Sequence, residues 1–235
     1  MQHGIKVLKL RRKSQDKYYI KYNALSNWNE LSSYLLGFTL ADGYIKRSNG
    51  SRNENSLQFE LADYDKDILE KIKKHLCFEG PILYSNRNTV KLCISNTKII
   101  DDLICKGIPT NNKTETASFP KEIPNSVLNH FIRGLFDGDG SVFYDSNYIA
   151  FQLLGTRSLL LGIKNKLSQF FHTVNLYDRS KNGTNIFCLK LKGKNAEKLY
   201  RWLYDNSTIY LQRKYNKYRQ IINSPSYGKP CEDRT

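Results

Sequence analysis

Two stretches of the chain alternate apolar and polar residues with the period of a strand. They are Ser56 to Ala62, with Leu57, Phe59 and Leu61 on one face, and Tyr148 to Leu154, with Ile149, Phe151 and Leu153. After each stretch the apolar spacing becomes helical. Ile68, Leu69, Ile72 and Leu76, and then Leu159, Leu160, Ile163 and Leu167, recur at i, i+1, i+4 and i+8, which gathers each set on a single helical face. Pairs of short strands joined by polar turns come next: Pro81 to Tyr84 with Thr89 to Ile94 across Asn86, Arg87 and Asn88, and Val174 to Tyr177 with Asn185 to Leu191 across Lys181, Asn182 and Gly183. A further helix closes each series, Thr97 to Ile104 and Asn195 to Tyr204.

Ahead of each series stands the same register of residues. Leu35-Leu36-Gly37-Phe38-Thr39-Leu40-Ala41-Asp42-Gly43 and Ile132-Arg133-Gly134-Leu135-Phe136-Asp137-Gly138-Asp139-Gly140 agree as apolar, any, Gly, apolar, any, any, small, Asp, Gly, and begin 97 residues apart. The chain therefore uses one α-β-β-α-β-β-α unit twice. The predicted architecture is α+β, in two pseudo-symmetric αββαββα halves. A basic arm covers 1–30, the first half 31–113, a linker with Pro120 and Pro124 114–124, the second half 125–220 and a tail 221–235.

Composition adds a partner class. Lys and Arg number 37 against 22 Asp and Glu, a net charge of +15, and such an excess draws a protein to a polyanion by counterion release. Nucleic acid is the expected partner and a membrane is not, because no apolar run approaches the ~18 residues of a spanning helix and no signal segment is visible. The expected location is intracellular, in a bacterial or phage cytoplasm or an organelle, without secretion. Five cysteines, none spaced as CxxC, read as free thiols. Lys6, Lys9, Arg11, Arg12, Lys13, Lys17 and Lys21 against Asp16 alone make the first 22 residues an arm suited to tracking DNA, with Tyr18, Tyr19 and Tyr22 offering area to bury.

The repeated motif carries candidate chemistry. Gly37 and Ala41, like Gly134 and Gly138, are four apart and place small residues on one helical face, which lets two helices approach closely. Gly43 and Gly140 are expected to supply the left-handed residue that stops each helix. Asp42 and Asp139 then fall at two C-terminal ends, where the helix dipole and their mutual repulsion both disfavour a carboxylate. A divalent cation resolves both conflicts. Ligation by these carboxylates and the backbone carbonyls of Ala41 and Gly138 is oxygen-only, which suits Mg²⁺, with Ca²⁺ or Mn²⁺ able to substitute for binding. His3, His75, His130 and His172 are scattered and form no ligand spacing.

At these residues, and over the repeat from about Leu31 to Tyr218, the sequence resembles the LAGLIDADG homing endonucleases, in the single-chain type with two motifs. The resemblance implies a DNA-binding saddle of antiparallel sheets with the motif helices at the interface between the halves. It also implies a double-strand break with a short overhang, made by metal-dependent hydrolysis at a long asymmetric site. Asp42 and Asp139 match the metal-binding acids; the earlier acid of the motif is present as Asp137 and replaced by Leu40 in the first copy. Lys113 and Lys214 match the basic residue expected near the reacting phosphate. A strand-end residue that orients water is matched by Asp63 in the first half, where the second has Gly155.

Base and phosphate contacts are expected from the polar strand faces and the turns: Gln58, Glu60, Tyr148, Gln152, Lys190 and Lys192, with Asn86, Arg87, Asn88, Lys181 and Asn182. The two copies in one chain predict a monomer. The competing reading is a module of the same fold that binds without cutting, as a splicing cofactor for intron RNA or a DNA-binding regulator; loss of a motif aspartate would mark it, and both are present.

Overall fold

The computed structural model describes residues 17–47, 55–145, 148–225 and 227. Lys6, Lys9, Arg11, Arg12, Lys13 and Cys231 lie outside the described residues. The first half runs α1 (Glu30–Ala41), β1 (Gly43–Lys46), β2 (Ser56–Ala62), α2 (Lys66–Leu76), β3 (Ile82–Ser85), β4 (Thr89–Ile94) and α3 (Thr97–Cys105). A single helical turn, α4 (Lys113–Thr116), precedes the connection to the second half. There α5 (Leu128–Asp139), β5 (Gly140–Asp145), β6 (Tyr148–Gly155), α6 (Arg157–Leu167), β7 (Asn175–Asp178), β8 (Phe187–Lys192) and α7 (Lys194–Tyr204) repeat the same order. One more helix, α8 (Gln212–Ile222), follows.

Each half folds its strands into one antiparallel sheet, in the order β1-β2-β4-β3 and β5-β6-β8-β7. The α+β organisation and the two-fold repeat of the unit are as the sequence predicts. The period-2 pattern of β2 fixes its register, because a shift of one residue would turn Leu57 and Phe59, both fully buried, out to solvent. The apolar faces of α2 and α6 are likewise buried as whole sets, Ile68, Leu69, Ile72 and Leu76 in one and Leu159, Leu160, Ile163 and Leu167 in the other.

Local sequence fixes where the helices start. Asn29 caps α1, accepting from the Ser32 backbone N–H at 2.9 Å while its own N–H donates to Ser32 Oγ at 2.9 Å, a reciprocal capping box. Asn96 and Thr156 cap α3 and α6 through the same kind of side-chain acceptor.

The motif helices α1 and α5 form the centre of the molecule, with nine of the twelve residues of α1 and eight of the twelve of α5 buried. They approach through glycine. A Cβ on Gly37 would stand 2.1 Å from the Phe131 carbonyl oxygen, and one on Gly134 would stand 2.1 Å from that of Tyr34. Each motif helix then reaches its own sheet through an aromatic pair, Phe38 stacked on Phe59 at 5.3 Å between ring centres and Phe136 on Phe151 at 4.7 Å.

The expected left-handed stop after each helix is not what ends it. Gly140 is extended, with φ −85° and ψ 160°, and Gly43 is not among the residues of positive φ. Both glycines begin a strand directly. They are required by proximity: a Cβ on Gly43 would lie 2.6 Å from Thr39 Cα, and one on Gly140 would lie 2.1 Å from the Phe136 ring and 2.5 Å from the Phe136 carbonyl oxygen. The missing side chain lets each strand fold back against the last turn of its own helix.

Among the described residues, no helix is long and apolar enough to cross a membrane. The described cysteines, Cys77, Cys93, Cys105 and Cys188, are free.

Candidate active site

Asp42 is the C-cap of α1 and Asp139 the last residue of α5, so the glycine-mediated contact of the helices brings both acids to one end of the helix pair. The closeness is atomic. A Cβ on Gly138 would sit 2.3 Å from Ala41 Cβ and 3.0 Å from Asp42 Oδ2. Burial pushes both carboxyls above the ordinary range; for Asp139 the charge of Asp42 adds to the rise, and Lys113 and Lys214 oppose it in both cases.

The two lysines occupy equivalent places. Lys113 Nζ donates to the carbonyls of Thr39 at 3.1 Å and Ala41 at 2.6 Å, and to that of Gly43. Lys214 Nζ donates to those of Phe136 at 2.6 Å and Gly138 at 2.8 Å. In the repeat, Thr39 aligns with Phe136 and Ala41 with Gly138, so each ammonium binds the same pair of carbonyls at the end of a motif helix and offsets the negative end of its dipole; the Thr39 and Phe136 carbonyls also accept a backbone N–H, from Asp42 and Gly140. Burial lowers both lysines, Lys214 to about 8, with the nearby aspartates resisting the shift.

The donor set fits a hard divalent cation. Two carboxylates at the exposed end of the helix pair, partly desolvated by their surroundings, are held together at an energetic disadvantage that positive charge relieves, and every available donor is oxygen. Among the described residues, no group of three or more His, Cys, Asp or Glu side chains could hold a metal. A cation held here would take two ligands from Asp42 and Asp139, and backbone carbonyls, water or phosphate oxygens would have to supply the others. The carbonyls of Ala41 and Gly138 already accept from the lysines, although each retains a second lone pair.

Asp137, the earlier acid of the second motif, is turned into the core. Its carboxylate accepts from the Tyr34 and Tyr204 hydroxyls, each at 2.8 Å, and from the Leu211 backbone N–H at 2.7 Å. Leu40, its counterpart, is a buried apolar residue. Nearby, the fully buried Arg133 donates to Glu30 Oε1 at 2.7 Å and to the Leu203 and Ile209 carbonyls at 2.6 and 2.9 Å, joining the start of α1 to the second half.

The sheets' open faces carry the remaining candidates. Register places Gln58 opposite Tyr44 and Cys93, and Glu60 opposite Lys91; Thr89 Oγ1 donates to Glu60 at 3.1 Å. In the second sheet Gln152 lies between Ser141 and Lys190, Lys190 also faces Asn175, Lys192 faces Ala150 and Tyr148 faces Asp145. All six named strand residues alternate with core-facing ones. Asn86, Arg87, Asn88, Lys181 and Asn182 are exposed in the hairpin turns, where Asn88 and Asn182 take φ of 55° and 51°. Asp63 is exposed just past the end of β2, its backbone N–H donating to the Asn88 carbonyl at 3.0 Å. Cross-strand register adds Tyr44, Lys91, Ser141 and Asn175 to these faces, neighbours that no linear pattern exposes.

A family model for a LAGLIDADG-like domain matches residues 126–204. Among solved structures, the I-LtrWI LAGLIDADG homing endonuclease bound to target DNA is 15% identical, covers 82% of this chain and 88% of its own, and superposes with a TM-score of 0.55. The LAGLIDADG meganuclease I-AabMI bound to uncleaved DNA gives 17%, 83%, 89% and 0.56, and the I-GzeII homing endonuclease in complex with its DNA target 14%, 83%, 89% and 0.53. No curated protein matches the sequence. With a motif helix in each half meeting the other at the centre, the chain has the LAGLIDADG fold in its single-chain, two-motif form, with a LAGLIDADG-like domain over residues 126–204.

Proposed function

We propose that the chain is a site-specific endonuclease that makes a double-strand break in DNA at a long asymmetric target by metal-dependent phosphodiester hydrolysis. The observation that carries this reading is the convergence of Asp42 and Asp139 at the packed ends of α1 and α5, each end capped by a lysine. The solved structures of the same fold that are described as bound to DNA support it.

In this reading Asp42 and Asp139 hold Mg²⁺, for which Ca²⁺ or Mn²⁺ substitutes in binding, and the Ala41 and Gly138 carbonyls complete the protein's donor set. The bound cation supplies Lewis-acid stabilisation of the attacking and leaving oxygens. Lys113 and Lys214 place positive charge, already oriented by carbonyl acceptors, beside the phosphate as negative charge builds on it. The open faces of the two sheets meet the major groove. Gln58, Glu60, Gln152 and Tyr148 reach base edges, Lys190 and Lys192 meet bases or phosphates, and the turns at Asn86, Arg87, Asn88, Lys181 and Asn182 touch the flanks. One chain supplies both motif helices, so the active form is a monomer, working inside the cell where its DNA is.

The test is cleavage of a randomised duplex library with Mg²⁺, with Ca²⁺ and without metal, comparing the parent with an Asp42→Asn, Asp139→Asn double variant. Cutting at one long site by the parent with Mg²⁺ alone is the expected result. Specific binding with no cutting under any condition would replace this reading with a binding module, for which intron RNA is the next ligand to try.

A further inference from the structure

The segments that carry the two lysines are fastened from across the interface. Lys214 lies in the first turn of α8, and the residues leading into it are pinned by the first half. Lys71 donates to the Tyr210 carbonyl at 2.8 Å, Asp67 accepts from the Gln212 backbone N–H at 3.4 Å, and Asp65 receives Arg213 through two bonds, Nε at 2.9 Å and NH2 at 2.8 Å. Asp65 is buried although its partner is half exposed, so the fixed end of this fork belongs to the first half. In the converse direction, the segment after Lys113 is held by the second half. The buried Thr156 hydroxyl donates to the Ala117 carbonyl, and Asn185 Nδ2 donates to the Glu115 carbonyl at 3.2 Å. Phe119 closes over Gly162, where a Cβ would come 2.3 Å from its own.

We propose that Asp65 with Arg213, and Asn185 with Thr156, are positioning residues through which each half orients the active-site lysine of the other. A lysine has a flexible stem, and its ammonium reaches the end of a motif helix in one arrangement only if its backbone is fixed first. Lys113 and Lys214 are thus the products of contacts that neither half can make alone. The kinetic consequence rests on the endonuclease reading; the geometric one does not.

The geometric test is acetic anhydride labelling of the folded full chain, read at Lys113 and Lys214 by mass spectrometry. Asp65→Asn and Arg213→Gln should each raise labelling of Lys214 by roughly tenfold, the scale of one lost charge-assisted hydrogen bond, and leave Lys113 unchanged; Asn185→Ala, which removes a neutral bond, should raise labelling of Lys113 by roughly threefold and leave Lys214 unchanged. Unchanged labelling, or an equal rise at both lysines, overturns the proposal, since general loosening would expose the two alike. The double exchange Asp65→Arg with Arg213→Asp should restore protection of Lys214. On the target DNA, Asp65→Asn should cut about 100-fold more slowly at unchanged DNA affinity, the scale of a displaced catalytic group. Selective labelling with an unaltered cleavage rate also overturns it. If the parent cuts no DNA, the endonuclease reading falls and the labelling pattern still decides the geometric claim.

Discussion

Replacing Gly134 by Ala sets two effects of opposite sign against each other. Helix propensity alone favours the change, by roughly 1 kcal/mol for an interior position. Packing opposes it. The added carbon would lie 2.1 Å from the Tyr34 carbonyl oxygen and 2.8 Å from the Phe38 nitrogen, both backbone atoms of α1 that no rotamer change can move aside. Relief requires the two helices to separate by about 1 Å, which loosens the apolar contacts along the whole seam. Overpacking costs roughly 1–3 kcal/mol where side chains can yield, so about 3 kcal/mol or more is expected here before the propensity gain, and about 2 kcal/mol or more after it. For a chain of this size that is a fall in Tm of roughly 4–8 °C. Gly37→Ala should cost a similar amount, because its Cβ would meet Phe131 and Leu135 backbone atoms at the same two distances. Urea unfolding followed by circular dichroism measures both. A stabilised Gly134→Ala protein would refute the close-approach argument and leave propensity as the deciding effect.

Because burial raises Asp42 and Asp139, ionising them costs folded-state stability above their raised pKa values; in EDTA at neutral pH the Asp42→Asn, Asp139→Asn protein should melt no lower than the parent. Mg²⁺ at 100 times its Kd should then stabilise the parent by about 2.7 kcal/mol, and an equal gain in the double variant would rule these acids out as the ligands. His130, lowered to about 4 by burial and by Arg133, binds its proton less readily folded than unfolded, so stability should fall as pH drops from 6.5 towards 4, by roughly 1–3 kcal/mol. His130→Asn should flatten that limb of a pH-stability profile, and an unchanged slope assigns it to other groups. Lys190→Ala and Lys192→Ala should each reduce the slope of log binding constant against log salt by about 1 if the residue meets a phosphate, and binding isotherms on a fixed duplex at several salt concentrations decide it.

The periodic elements were legible because burial and spacing are local. Ser56 to Ala62 is the strand its alternation predicts, and the four apolar positions of each middle helix are the four that face the core. The motif pair was legible because its small residues repeat in register. Gly43 and Gly140 show where such reasoning stops. An Asp-Gly step suggests a left-handed stop, and glycine is indeed required, but by the proximity of Thr39 and Phe136, which depends on how the next strand returns. The support of the lysines was hidden for a related reason. Arg213 and Asp65 are 148 residues apart, and Asp137 reaches Tyr34 103 residues away, pairings that leave no periodic trace in either segment. Position offered one hint, since Arg213 directly precedes Lys214.

The contacts of Glu30 and Asp137 also set the symmetry the molecule has given up. In the register of the repeat, Phe131 stands where the first copy has Tyr34, and Leu36 where the second has Arg133. Two second halves facing each other would offer Asp137 a phenyl ring in place of a hydroxyl donor. Two first halves would leave Glu30 with no guanidinium to receive. The copies still share a backbone plan, but each has become the specific complement of the other, and a homodimer of either would be missing a bond that the single chain makes.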